Sequence, residues 1–162
     1  MDAHDFIARY GGIYEHSPWV AEEASALVEP GDDVALLAAV MADCVDNAAR
    51  EKQLELIRAH PDLAGKAQVA GELTAESTAE QASAGLDHCT SEEFDSFQRL
   101  NKAYRDKFGF PFVMAVRGST RDEILEAFSA RLQNEYDVEF ETALTEIHKI
   151  ARLRLESLEV PA

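Results

Sequence analysis

Apolar and polar positions alternate along this chain with a helical period. Val34, Leu37, Met41, Cys44 and Val45 recur every three or four residues, and Leu54 and Ile57 continue the spacing, so one face of a 3.6-residue repeat is apolar. The same rhythm runs through Phe94, Phe97, Asn101 and Tyr104, and again through Phe140, Leu144, Ile147, Ala151 and Leu158. Capping residues mark the joints. Ser17-Pro18 offers a hydroxyl N-cap and then a proline at the first helical position, where a missing N–H costs nothing. The helix it opens is expected to reach about Val28, ahead of the Glu29-Pro30-Gly31 break. Asp32 and Asp33 cap a long stretch to His60, which Pro61 ends; the pattern leaves open whether Asn47 to Arg50 interrupts it.

Beyond Pro61 the pattern predicts a short helix over Asp62 to Ala70 and a loop over Gly71 to Glu76. Ser77-Thr-Ala-Glu80, Thr90-Ser-Glu-Glu93 and Thr120-Arg-Asp-Glu123 then each open a helix with capping-box spacing, in which hydroxyl and carboxylate satisfy each other's orphan backbone N–H groups. The helix after Thr90 stops at Gly109, a residue suited to a left-handed C-cap. A last helix runs from about Asp137 to Leu158. One stretch departs from the period. Phe110-Pro-Phe-Val-Met-Ala-Val116 is apolar, carries a proline near its start and is too short for a typical helix, so it reads as extended. With no second strand-like run to pair with, its backbone groups must find other partners, and a ligand is one candidate. No internal repeat or low-complexity segment occurs. The expected fold is all-α, a single-domain helical bundle over residues 1–162 with one short extended segment near 110–116.

Composition narrows the function classes. The chain has 162 residues, 31 acidic and 15 Lys/Arg, for a formal charge of −16 and a pI near 4.6. Nucleic-acid binding needs clustered basic side chains that release counterions, and a basic membrane-surface helix needs them too, so neither class fits. The apolar fraction of 46% argues against disorder, and a chain of this length can bury roughly two thirds of its unfolded surface without staples. Cys44 and Cys89 each sit in a helical pattern and read as small buried apolar residues rather than as a bridge. The acidic start, Met1-Asp-Ala-His-Asp5, lacks the basic-then-apolar pattern of a secretory signal, and the end, Glu159-Val-Pro-Ala162, matches no retention address. Val34 to Cys44 is interrupted by Asp43 and too short to span a bilayer. A cytoplasmic setting with no membrane or nucleic-acid partner is the expectation.

Most catalytic frameworks are absent: no glycine-rich phosphate loop, no Cys-x-x-Cys, no Gly-x-Ser-x-Gly. His88-Cys89 has no second pair to close a zinc site, so no metal is expected. His4, His16, His88 and His148 read as surface, turn or helix-end residues. His60 stands at a helix C-terminus, where the dipole favours its protonated form; the plainer reading is a C-cap whose imidazole bonds a terminal carbonyl. Glu80 is explained as the third residue of the Ser77 capping box, and Gln81 falls on a different side of that helix. Arg154 is harder to explain away. At ~100° per residue it projects within the apolar stripe of the last helix, whereas Arg152 points to solvent. A core-facing guanidinium cannot deprotonate and needs an anion, either a protein carboxylate or an oxygen of a substrate.

Longer stretches carry more. His60-Pro-Asp-Leu-Ala-Gly-Lys66, Ser77-Thr-Ala-Glu-Gln-Ala-Ser-Ala-Gly-Leu-Asp87 and Asn101-Lys-Ala-Tyr-Arg-Asp-Lys-Phe-Gly-Phe-Pro-Phe-Val113 closely resemble the OHCU decarboxylase family, as do Tyr10 to Trp19 and Ile150 to Leu155. OHCU is 2-oxo-4-hydroxy-4-carboxy-5-ureidoimidazoline, an intermediate between urate and allantoin. The resemblance spans nearly the whole chain, with the motifs in order. It implies an all-α fold and a cleft in which His60 is the general acid/base, Glu80 a second catalytic residue accepting ureido N–H groups, and Arg154 a contact to substrate oxygen. Pro61, Ser77, Gln81 and the segment Phe110, Pro111, Phe112 and Val113 would complete the binding residues, the segment through backbone groups and apolar walls. No departure from the family pattern occurs at these positions. The family's substrate carries its own electron sink, a ring C=N beside the carbon bearing carboxylate and hydroxyl, so no cofactor is implied. The implied product is (S)-allantoin. Similar proteins are often homodimers, and that assembly is carried by resemblance alone. The competing class is a non-catalytic helical module that holds a purine-derived ligand or a partner helix; a related lyase or isomerase for another ureido acid shares the same residues.

Overall fold

A computed structural model describes residues 2–28, 32–65 and 73–159. Eight helices are defined there: α1 (Ala3–Tyr10), α2 (Trp19–Ser25), α3 (Val34–Asp46), α4 (Arg50–Arg58), α5 (Ala75–Ser83), α6 (Ser91–Phe108), α7 (Arg121–Arg131) and α8 (Tyr136–Glu159), with a 3₁₀ turn at Leu86–His88. No strand occurs among the described residues, so the fold is all-α as expected. No helix among them is long and apolar enough to cross a membrane. The chain divides into two compact units. One comprises residues up to 60 and from 144 onward; the other runs from Pro61 to Ala143.

In the first unit the apolar positions of α3 are buried at Leu37, Met41, Cys44 and Val45, as are Val20, Ala21 and Ala24 on α2 and Leu56 and Ile57 on α4. The expected Ser17 hydroxyl cap is not made. Proline 18 is itself the N-cap residue in helical conformation, and the Ser17 hydroxyl donates instead to the Glu15 carbonyl at 2.9 Å. The open question over residues 47–50 is answered by a break. Asn47 turns its side-chain amide back onto the Asp43 carbonyl at 2.9 Å, and Gln53 donates to the carbonyls of Val45 and Asp46. Side chains thus satisfy the end of α3 and let the chain stop there.

The second unit corrects four expectations. The helix predicted from Ser77 starts at Ala75, with Thr74 as its N-cap accepting the Ser77 N–H at 3.2 Å. Two hydroxyls three residues apart compete for that role, and the earlier one takes it. Ser77 and Glu80 therefore form no capping box, and Glu80 lies in the helix interior. The loop expected to reach Glu76 ends two residues sooner, at Thr74. Of the helix predicted over 62–70, residues 62–65 form a turn, with Ala64 at a left-handed φ of 49°; residues 66–70 lie outside the described range. Both other capping boxes are present, at Thr90/Glu93 and Thr120/Glu123, and Gly109 caps α6 at φ 77°. Cys89 follows the 3₁₀ turn rather than sitting in a helix, half-buried and unbridged.

The core of this unit is aromatic. Phe112 stacks on Phe128 at 3.9 Å between centroids, and Tyr104 sets its ring edge-on to Phe110, Phe112 and Phe128. Below it lies one fully buried carboxylate, Glu139. Tyr104 donates to it at 2.6 Å, Arg131 Nε at 2.8 Å and Asn134 at 2.9 Å. Burial and that neighbouring carboxylate both push the Tyr104 phenol well above its ordinary range. Arg131 Nη1 reaches on to the Val113 carbonyl at 2.6 Å, and the guanidinium stands over the Phe112 ring. The segment 110–116 has no strand partner, so a side chain supplies what a ladder would.

Replacing Arg131 by Met should cost about 3–5 kcal/mol in urea unfolding, because Glu139 is left charged and buried. Thr74→Ala should cost only about 1 kcal/mol, the worth of one N-cap.

Candidate functional site

Within the first unit, two of the singled-out residues stand in one buried polar group. His60 follows the C-terminus of α4 and is 6% exposed. Its Nδ1 lies 2.9 Å from the Leu56 carbonyl. A carbonyl can only accept, so Nδ1 carries the hydrogen, and in the neutral ring Nε2 keeps its lone pair. Ala59 is the C-cap itself, and His60 just beyond it bonds a terminal carbonyl as expected, which fixes the tautomer. Burial pushes the imidazole down to about 4; the Leu56 carbonyl and Glu15 oppose this, while Arg154 and His16 add to it. The helix-end preference for a protonated ring is outweighed. At neutral pH His60 is an uncharged base.

Arg154 is buried to the same degree, as its place in the apolar stripe of α8 predicts. Its partner is Glu15, with Nη2 to Oε2 at 2.8 Å, and Nη1 donates at 3.3 Å to the carbonyls of Gly12 and Ile13. Arg152 is exposed and pairs with Glu156 one turn on. The loop that supplies Glu15 is held at several points. Tyr14 OH and His148 Nδ1 are 2.8 Å apart, and His148 Nε2 is 2.9 Å from Asp46. Ser17 holds the Glu15 carbonyl, and His16 between them takes a left-handed φ of 48°. That kink leaves Glu15 and Ser17 buried and His16 exposed. A non-glycine residue at such an angle persists only where its surroundings over-determine it.

In the second unit, the turn after Pro61 is gripped by side chains from two helices. Gln81 of α5 accepts the Ala64 N–H at 2.9 Å and donates to the Asp62 carbonyl at 3.2 Å. From α6, Gln98 donates to the Ala64 carbonyl at 2.8 Å, Asn101 to the Leu63 carbonyl at 3.0 Å, and Arg105 to the Asp62 carboxylate at 3.0 Å. Both polar groups of the strained Ala64 peptide unit are thus engaged. Gln81 is a clamp on this turn. Ser77 and Gln81, one helical turn apart, are buried, and Glu80 flanks them half-buried on the same helix. The rings of Phe110 and Phe112 belong to the aromatic core, and Pro111 and Val113 are buried beside them in sequence. Any polar contact from this segment must come from its backbone, of which the Val113 carbonyl is already taken by Arg131.

Comparison with known proteins bears on what these groups serve. The OHCU decarboxylase family model matches residues 1–156. The chain belongs to the OHCU decarboxylase family. A 2-oxo-4-hydroxy-4-carboxy-5-ureidoimidazoline decarboxylase of Haloferax volcanii is 48% identical over 96% of this chain and 89% of its own length. A uric acid degradation bifunctional protein of Bacillus subtilis is 41% identical over 98% of the chain, which spans 31% of that longer protein. Among solved structures, an (S)-allantoin synthase superposes with a TM-score of 0.75 at 36% identity, covering 98% of this chain and 51% of that one. An OHCU decarboxylase crystallised in the presence of (S)-allantoin gives 0.73 at 25% identity, covering 91% and 95%.

Periodicity placed Asn101 on the inward face of α6 but missed Glu15, Gln98 and Arg105. Glu15 lies on a loop, where a helical repeat says nothing, and its only signal was the need of Arg154 for an anion. Gln98 and Arg105 sit on α6, where they read as ordinary polar positions.

An imidazole depressed in the native state protonates later on acidification than the same ring unfolded, near 6.5. His60 therefore leaves stability intact above about pH 6.5 and removes about 3 kcal/mol as pH falls toward 4. Urea midpoints of the wild type should drop over that window relative to His60→Gln, which has no proton to take up; parallel curves would refute the buried neutral ring.

Proposed function

We propose that this member of the OHCU decarboxylase family converts OHCU to (S)-allantoin and CO₂, with His60 as the general base. The observation that carries the role is the fixed tautomer: Nδ1–H is held by the Leu56 carbonyl, and burial keeps Nε2 unprotonated at neutral pH. When the carboxylate leaves as CO₂, its electron pair forms a double bond to the adjacent ring carbon, and the nitrogen of the former C=N takes up a proton, which replaces the carboxylate in the overall balance. The hydroxyl proton leaves as the carbonyl forms, and a proton arrives at the neighbouring ring carbon on one face. The hydroxyl proton is the one a neutral imidazole can accept, since its Nε2 lone pair is free at neutral pH. Family resemblance supports the remaining roles: Glu80 accepting ureido N–H groups, Arg154 meeting substrate oxygen, and Pro61, Ser77, Gln81 and the backbone of residues 110–113 shaping the rest. A homodimer is the working state on this reading, again from resemblance, in the cytoplasmic setting expected from the sequence.

The decisive assay generates OHCU in situ from urate and follows allantoin handedness by circular dichroism. Spontaneous decay is racemic, so the expected result is a stereoselective signal that His60→Ala abolishes; racemic product at the uncatalysed rate would sink the proposal. Glu80→Ala makes a clean second arm. Because Thr74 rather than Ser77 caps α5, this substitution removes no cap, and a large loss of turnover at unchanged stability would mark a substrate contact. Near-full turnover would remove Glu80 from the catalytic set.

A further inference from the structure

We infer that Glu15 is a positioning residue for the reaction, setting both the place of the Arg154 guanidinium and the charge balance around His60. The inference rests on the decarboxylase reading of His60 and Arg154 and adds a residue to it. Three observations carry it. Glu15 is almost fully buried and bonds Arg154 at 2.8 Å, while the Gly12 and Ile13 carbonyls, from the same loop, take the other guanidinium nitrogen. One short loop therefore fixes the fork of Arg154 in place. That loop is braced independently, by the Tyr14–His148–Asp46 chain on one side and the Ser17 hydroxyl on the other, at the position of the strained His16 backbone. Finally, the charged groups that act on His60 are Glu15, Arg154 and the exposed His16, so the ring feels one anion and one permanent cation of the same ion pair.

The consequence is chemical as well as geometric. An isolated buried Arg154 would hold the imidazole of His60 still further from protonation and weaken it as a base. Glu15 opposes that and keeps a basic ring beside a guanidinium able to meet substrate oxygen. Geometry and charge can be separated. Glu15→Gln keeps a side-chain oxygen for Arg154 and removes the charge; Glu15→Asp keeps the charge and shortens the reach.

The test follows the His60 ring by NMR titration in the whole chain, alongside the pH dependence of kcat/KM in the circular-dichroism assay. Glu15→Gln should move the His60 titration, and the acid limb with it, to lower pH by about half a unit or more. Arg154→Gln, read by NMR alone, should move the ring the opposite way. Glu15→Asp should keep the acid limb near the wild type while kcat falls at least several-fold. A purely structural role predicts no opposed shifts. If Glu15→Gln does not fold, the Glu15→Asp arm still decides: an unchanged kcat in that folded variant would overturn the positioning role. Unmoved titrations in the variants, with a stereoselective wild type, would overturn the role of Glu15 and leave the decarboxylase reading standing. Racemic product from the wild type would instead remove the reading itself.

Discussion

An arginine that cannot give up its proton lies in the apolar stripe of α8, and the first unit is organised by the need to satisfy it. Arg154 must meet an anion and carbonyl oxygens or the helix could not bury that face. The loop at residues 12–17 supplies them: two carbonyls, one carboxylate, and a left-handed residue that makes the turn. The same carboxylate then acts on His60. On the proposed mechanism, a constraint of folding and a condition of catalysis are one interaction. Buried ion pairs are poor sources of net stability, but removing one partner is costly, which ties residues at opposite ends of the chain to one geometry.

The second unit obeys the same rule with different parts. Glu139 is buried and receives three donors; its partner Arg131 extends to the backbone of the irregular segment and covers the Phe112 face. Around the turn after Pro61, four side chains hold three peptide units and one carboxylate. Both fix backbone in conformations that neither helix propensity nor strand pairing would hold.

Burial also changes what a histidine is for. A helix C-terminus favours an imidazolium by up to ~2 kcal/mol in partly buried settings. Desolvation of a nearly inaccessible ring outweighs that here. The carbonyl that a C-cap would bond is the group that locks the tautomer. One nitrogen of the ring is thus spent on the helix end, and the other keeps its lone pair.

Helical period, capping boxes at Thr90 and Thr120, the Gly109 stop and the inward face of Arg154 were all legible, because each depends on residues within a turn or two of one another. The motifs also carried the family. Local reasoning failed where two local choices were nearly equal, as with Thr74 and Ser77 as caps, and where polar side chains took over backbone bonding, as at Asn47 and the turn after Pro61. It could not find Glu15, since a loop has no period and the partner of Arg154 is 139 positions away. The protonation of His60 lay beyond it as well. The sequence by itself determined an all-α chain with a buried arginine and a capping histidine; tertiary structure decided which carboxylate answers the arginine and which proton the histidine keeps, because desolvation and charge pairing act through space.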